Sequence, residues 1–514
     1  MASTPTTKSQ VQAYRFVLRR MESALVRRDS VLLHDPMGSH KRATGVGIAL
    51  ACVALVGFLV WGLFGGKGSV PGPGSIVIGK DTGSVYVVTS DKDAQKRLIP
   101  MLNMASAKLL SMSQGGQGAP APTTVKEAAL AELPRGPRTG MVNAPTYLPD
   151  ASNAALSSWG ICDVGPKEDG SGKQRPGELQ GTTVVGGIDA PGAPLQPDQS
   201  LYVQDQTTHQ PYLVYVPHKG PNDEHVVKAP VDPSQTEVMD VYGLNRAVPR
   251  TISTNMLNAI PQAPVLQVPQ QVRQGGGPAT YMRGRHQTGD VVQSSLPGEA
   301  PKFYVLLPSG KQEVSQGAAA VLHAARNGST SVPVATNAIA DTKDAPQPLG
   351  TLDSLPERVP HPLPWSQAQS SCLSWKVVNG KPEISATLPG GERITPQAPV
   401  ALAQTDRGGP QVDNFYMPAG KAAVTHSTSN ASGMQNGPLG MVSDQGVYYG
   451  IKDSQTAQGL GLTRSTGDAR PAPAWLTRVL PRGAFLDPGE ASYAYDSIPV
   501  PPSSGVNRPL PKKQ

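Results

Sequence analysis

The chain has 514 residues, of which 55 are glycine and 52 proline. With 38% apolar residues this lies short of outright disorder, yet it is too rich in turn formers for one compact core, so small units joined by Pro/Gly linkers are expected. The net charge of +7 is modest for this length and sits largely near the start, which argues against nucleic-acid binding.

The first 42 residues form a basic arm. In "TTKSQVQAYRFVLRRMESALVRRDSVLLHDP", Val11, Tyr14, Leu18, Met21 and Leu25 recur at steps of three or four. That spacing predicts a helix with one apolar face and with Arg15, Arg19 and Arg27 largely elsewhere. Pro36 should stop any helix arriving there. Three readings of the arm stand side by side: a helix lying on anionic lipid, a helix docked on a partner helix, and a solvated helix that only sets topology.

Residues 43–64, "ATGVGIALACVALVGFLVWGLF", carry no charge. A helix of that length spans roughly 33 Å, enough for a hydrocarbon core of about 30 Å. A buried core helix is seldom so long without a charge, and a cleaved signal peptide would place its apolar run nearer the start. A single transmembrane helix is therefore expected. Lys8, Arg15, Arg19, Arg20, Arg27, Arg28, Lys41 and Arg42 precede it, whereas only Lys67 and Lys80 follow closely. This bias puts the N-terminus in the cytoplasm and about 450 residues outside.

Cys52 falls within the span, leaving Cys162 and Cys372 on the outer side. Two cysteines in an oxidising compartment favour one bridge, the alternative being two free buried thiols. Both sit near a tryptophan, in "SSWGICD" and "SSCLSW".

Four outer stretches read as strand, turn, strand and helix: residues 84–110, 212–244, 303–328 and 441–462. Tyr, Val and Leu supply the strands, Gly and Asp the turns. Asn103, Asp232 (with Pro233 at the first helical position), Ser315 and Asp453 are the candidate N-caps. One hairpin plus one helix buries too little to stand alone, so the units must pack on a neighbour or a central body. The first two enclose Cys162 and the last two Cys372, which suggests paired repeats around a bridged central domain fed by residues near 135–205 and 350–435.

The arm, "LHDP" and the single span, then "LNMASAKLL", "LPRGPRTG", "WGICD", "MLNAIPQAP", "GGGPAT", "FYVLLPSGKQEV", "SCLSW", "GVYYGI" and "LGL", together resemble the EccB family of type VII (ESX) secretion systems over nearly the whole chain. Two departures stand out. "GMVNAP" replaces a glycine- and proline-rich segment, and "TSDKDAQKR" lengthens the first hairpin. The resemblance implies a structural subunit of an inner-membrane secretion complex. Its implied partners are the EccC motor ATPase, EccD, EccE and the mycosin protease, with a homodimer through the periplasmic region and a higher oligomer in the full complex. It also implies contact with the lipid bilayer, and a likeness of the repeats to cell-wall-binding modules suggests peptidoglycan as a further partner.

Family members carry an ATPase label, which makes an ATPase with an atypical nucleotide site one alternative and a peptidoglycan-binding module another. ATP would be a cofactor only under the first; the leading reading has none. A P-loop needs G-x-x-x-x-G-K-[S/T]. "GSGKQ" (170–174) and "PSGKQ" (308–312) have Gly-Lys followed by Gln and lack the first glycine, so both read as turns. Neither H-E-x-x-H nor G-x-S-x-G occurs. His218 and His225 fall in a loop that reads as solvated, and scattered acids leave only a carboxylate pair meeting in space as a hydrolytic option. No catalytic, cofactor-binding or metal residues are assigned.

The fold class is therefore α+β: one transmembrane helix plus an elongated periplasmic region of four β-hairpin/helix repeats around a disulfide-bridged, mixed or β-rich central domain. The expected map is arm 1–42, span 43–64, linker and first repeat 65–120, central domain 121–205, second repeat 206–250, linker and third repeat 251–350, central domain again 351–435, fourth repeat 436–495 and a Pro-rich extended tail 496–514.

Overall fold

The structure is a computed structural model that describes residues 7–28, 36–64, 69–90, 94–115, 121–165, 179–189, 191–218, 226–326, 331–364, 369–389, 393–406, 409–428, 434, 436–465 and 467–497. It divides into two compact units, Met1–Val70 and Pro71–Gln514.

In the first unit, helix α1 spans Lys8–Arg27 and α2 spans Pro36–Phe64. Thr7 and Gln10 form a capping box at the start of α1, and Arg28 closes it in the left-handed region, at φ 52°. Pro36 opens α2, at the first helical position, where its missing N–H costs nothing. Side chains of α2 are described over 42–58, so the end of the expected span, 59–64, lies outside them. Among the described residues, no helix is long and apolar enough to cross a membrane.

Among the described residues, the second unit holds five sheets. Its first module runs β1 (Ile76–Gly79), β2 (Val85–Ser90), β3 (Lys96–Pro100), α3 (Met104–Ser113), β4 (Thr123–Val125) and α4 (Glu127–Leu130). The chain then enters a central sheet with β5 (Trp159–Val164), β6 (Gly181–Gly186) and β7 (Ala193–Pro194). The second module is β8 (Gln199–Asp205), β9 (Pro211–Tyr215), β10 (Val227–Pro230), α5 (Thr236–Val241), β11 (Arg250–Ile252) and α6 (Thr254–Ala259). After α7 (Gln270–Arg273) comes the third: β12 (Val291–Ser294), β13 (Lys302–Leu307), β14 (Gly310–Val314), α8 (Gln316–Ala325), β15 (Val332–Pro333) and α9 (Thr336–Asp341). Helix α10 (Gly350–Asp353) and β16 (His361–Pro362), which pairs with β8, lead back to the central strands β17 (Ser370–Val378), β18 (Lys381–Leu388), β19 (Val400–Ala401) and β20 (Asn414–Tyr416). The fourth module is β21 (Ala422–Thr428), β22 (Leu439–Ser443), β23 (Tyr448–Gly450), α11 (Ser454–Gly459), β24 (Arg470–Pro473) and α12 (Leu476–Val479).

Each module is built alike. Three antiparallel strands are followed by a helix and a short fourth strand that returns parallel to the first: β4 on β1, β11 on β8, β15 on β12, β24 on β21. A later segment then covers the exposed edge of the third strand. Leu98, Lys228, Lys311 and Tyr448 each donate to a carbonyl of that segment, from Pro134, Pro261, Lys343 and Pro481. Each also accepts from the N–H two residues further on, at Gly136, Ala263, Ala345 and Gly483. Covering an open edge in this way removes a template for strand addition.

The stretches 84–110, 212–244, 303–328 and 441–462 fall on strands two and three and the helix of each module. Sheet membership draws the boundaries differently from the expected map. Residues 123–136 belong with the first sheet, and 199–205 supply the first strand of the second. Asn103, Ser315 and Asp453 cap their helices, each accepting a hydrogen bond from the N–H three residues on. Asp232 does not: α5 begins at Thr236, and the Asp232 carboxylate accepts from Ser234 N–H in a local turn.

The modules pair by shared cores, first with fourth and second with third. Ala105 and Leu109 of α3 pack with Met441, Ala457 and Leu460. Val238 and Met239 of α5 pack with Ala318, Val321 and Leu322 of α8. The sheets of modules two and four turn their other faces to the central sheet, where Trp159, Ile161, Leu373 and Phe415 join Leu201, Val203, Ala423 and Val442. Full burial of each such large side chain contributes roughly 1.5–3 kcal/mol.

Candidate functional site

The apolar face of α1 is open in the first unit. Val11, Tyr14, Leu18, Met21 and Leu25 are all exposed, Leu25 by 83%. From Gly45 to Phe58 the described side chains of α2 are apolar around the whole helix and equally uncovered, among them Ile48, Leu50, Val53 and Phe58. A helix apolar all round takes a non-aqueous or protein environment. Cys52 is free and exposed there.

In the second unit the central sheet runs β19-β20-β6-β5-β17-β18-β7. Cys162 and Cys372 are direct cross-strand partners on β5 and β17 and are joined by a disulfide that closes a separation of 210 residues. Alternation along β5 sends Cys162 to one face, with Val185 and Tyr416, and Trp159 and Ile161 to the other, which is the main core. The bridge therefore ties the two halves of the sheet from the side opposite the module contacts.

Asp163 shares the core face. Its carboxylate is buried and accepts from Thr182 Oγ1 at 2.8 Å, Ser253 N at 2.6 Å and Ser253 Oγ at 2.8 Å. Ser253 Oγ in turn accepts from Met256 N and caps α6, so one carboxylate holds the second module to the central sheet. Thr182 N–H donates to the buried Asp413 carboxylate at 2.9 Å. Burial pushes Asp163 up to about 6, the Asp413 charge adds to this, and the hydrogen bonds from Ser253 and Thr182 oppose it. Thr182 thus links the two buried carboxylates, Asp163 and Asp413, in the interior, where they join segments of the fold. The stretch "STNML" announces the cap, but nothing local points to Asp163 as its partner.

The lysines after glycine are the nucleotide candidates. Lys311 of "PSGKQ" lies on β14, just after the β13–β14 turn, buried, and its ammonium donates to Thr342 O at 2.5 Å and Asp344 Oδ1 at 2.7 Å. Those bonds hold the edge-covering segment. "GSGKQ" lies outside the described residues. His218 differs from the expected solvated position: it is half-buried and paired with Glu357. His225 lies outside the described residues. Among the described residues no group of His, Cys, Asp and Glu could hold a metal ion.

The fold defines a multi-module β-sheet scaffold, paired through helices and bridged at its centre, with a separate helical N-terminal unit. The sequence matches the family described as type VII secretion system ESX-1, transport TM domain B, over residues 3–500, and the chain belongs to that EccB family. It is 28% identical to the ESX-1 secretion system ATPase EccB1 of Mycobacterium tuberculosis, over 97% of this chain and 96% of that protein. It is 28% identical to the ESX-3 secretion system ATPase EccB3 of Mycolicibacterium smegmatis, over 97% and 92%. In fold it resembles a chain of an intact ESX-5 inner membrane complex, with a TM-score of 0.65, 22% identity and 98% of each chain covered. It also resembles a chain of an EccB3 dimer from the ESX-3 core complex, with a TM-score of 0.63, 21% identity, and 82% of this chain and 100% of that one covered.

Proposed function

We propose that this chain is a membrane-anchored structural subunit of a type VII secretion inner-membrane complex, crossing the bilayer once through residues 43–64 and building a periplasmic part with the rest. The observation that carries this is a helix apolar and uncovered on every side over 45–58, in a chain whose relatives match it over nearly the full length. The basic arm lies on the cytoplasmic side, and Val11, Tyr14, Leu18, Met21 and Leu25 take a partner helix. The four modules are internal repeats of one unit. EccB3 of the ESX-3 core complex forms a dimer, which supports pairing of this chain with a second copy through its periplasmic region. It works beside EccC, EccD, EccE and the mycosin protease. It needs no cofactor: the ATPase label belongs to the relatives, and Lys311 is committed to its own hairpin.

The test is affinity purification of the tagged full chain in gentle detergent. Co-elution with the motor ATPase, lost when Leu18 and Leu25 are both changed to Asp, supports the proposal. Elution as an isolated monomer rejects it.

A further inference from the structure

A cleft of about 310 Å³ opens where the second module, the central sheet and the fourth module meet. One wall is the end of α6 with Asn258 and, from β10, Lys228. The second is the β17–β18 ladder, with Trp375. The third is the turn from β24 into α12, with Trp475 and Arg478. Two cations line this cleft and no carboxylate does. Arg478 is exposed, and no described carboxylate pairs with its guanidinium. Lys228 is buried to 6% exposure; its ammonium donates to Leu257 O and carries further N–H donors. Burial pushes it down to about 8, against the pull of Asp205, so it still carries charge at neutral pH. Trp475 of this wall is nine-tenths buried, and its indole N–H, beneath the surface, has no acceptor among the described residues. A buried donor without a partner is costly unless something else supplies the acceptor.

We propose that this cleft binds an anionic ligand with a planar apolar body, its head between Lys228 and Arg478 and its body against Trp375 and Trp475. A concave site with aromatic walls and a few convergent polar groups has the form of a small-molecule pocket, and a lining with two cations and no carboxylate selects the sign of the ligand. Because the walls come from three parts of the fold, an occupant joins the second module to the fourth across the central sheet.

The test uses 8-anilinonaphthalene-1-sulfonate as the probe and amide hydrogen exchange of the full chain in zwitterionic nanodiscs as the readout. Saturable protection of 257–262 and 473–478 is expected. Arg478→Glu, at an exposed position, should weaken the affinity about tenfold or more. Ala474→Phe, which fills the cleft from its rim, should abolish protection. Displacement by N-acetyl-phenylalanine points to a peptide carboxylate and displacement by phenyl phosphate to a phosphate ester; either upholds the assignment. Protection unchanged in both variants, protection confined to other segments, or displacement by neither competitor overturns it. Loss in Ala474→Phe with no change in Arg478→Glu also overturns it, since the cleft would then be apolar without charge selection.

Discussion

Asp163 on the central strand β5 accepts the backbone N–H of Ser253, the residue that caps α6 in the second module. This bond spans 90 residues and is buried at both ends. Burial favours the protonated acid, so the folded value of about 6 exceeds the ordinary 3.8. The folded state then holds more protons than the unfolded one between those values. The contribution of Asp163 to stability is therefore fully present below about pH 4 and is lost as pH rises towards 6, by on the order of 2–3 kcal/mol. Asp163→Asn should remove that slope. Urea midpoints of both proteins at pH 4 and pH 7 check it; an unchanged slope in the variant means another group causes it.

The Cys162–Cys372 bridge closes a long loop, so its loss should act mainly through the unfolded chain. Cys162→Ser with Cys372→Ser should cost about 2–4 kcal/mol. Denaturation of oxidised, reduced and doubly substituted protein measures it. Equal midpoints in all three would show that sheet pairing alone holds the two halves together.

The edge-covering segments leave no room at their contacts. A side chain at Gly310 would meet the Lys343 carbonyl oxygen at 2.7 Å and Ala345 N at 2.8 Å, backbone that cannot swing aside. Gly310→Ala should destabilise by about 1–3 kcal/mol. Gly350→Ala meets nothing within 4 Å and should stay within about 0.5 kcal/mol. Thermal unfolding of the two variants compares them directly.

Leu109 of α3 is fully buried in the core shared with the fourth module. Leu109→Ala should cost about 2–5 kcal/mol, and hydrogen exchange should quicken in both 104–113 and 454–460. If only the first segment loosens, the modules are not coupled through this helix. Leu25→Ala, on the exposed face of α1, should leave unfolding within about 0.5 kcal/mol.

How much of this was legible in the sequence depends on the distance between partners. Strands such as Val85–Ser90 and Lys302–Leu307 announce themselves by Tyr, Val and Leu beside turn residues. The fourth strands do not. Thr123–Val125 and Val332–Pro333 are too short to show alternation, and the latter ends in proline. The edge-covering segments were visible as "LPRGP", "IPQAP", "TKDAP" and "LPRGA", yet they read as one motif only once the same backbone bonds are seen four times. Asn379-Gly380, both at positive φ, is an equally plain hairpin signal for β17–β18. Asp163, Thr182, Ser253 and Asp413 lie far apart along the chain, and no local pattern brings them together.

The central claim is one crossing of the bilayer with the arm inside and the modules outside. Labelling of single cysteines in intact spheroplasts tests it most directly, in a Cys52→Ser background with a membrane-impermeant maleimide. Ser295→Cys, exposed in the third module, should label without lysis, whereas Ser9→Cys should label only after it. Labelling of both before lysis, or of Ser9→Cys alone, contradicts the account.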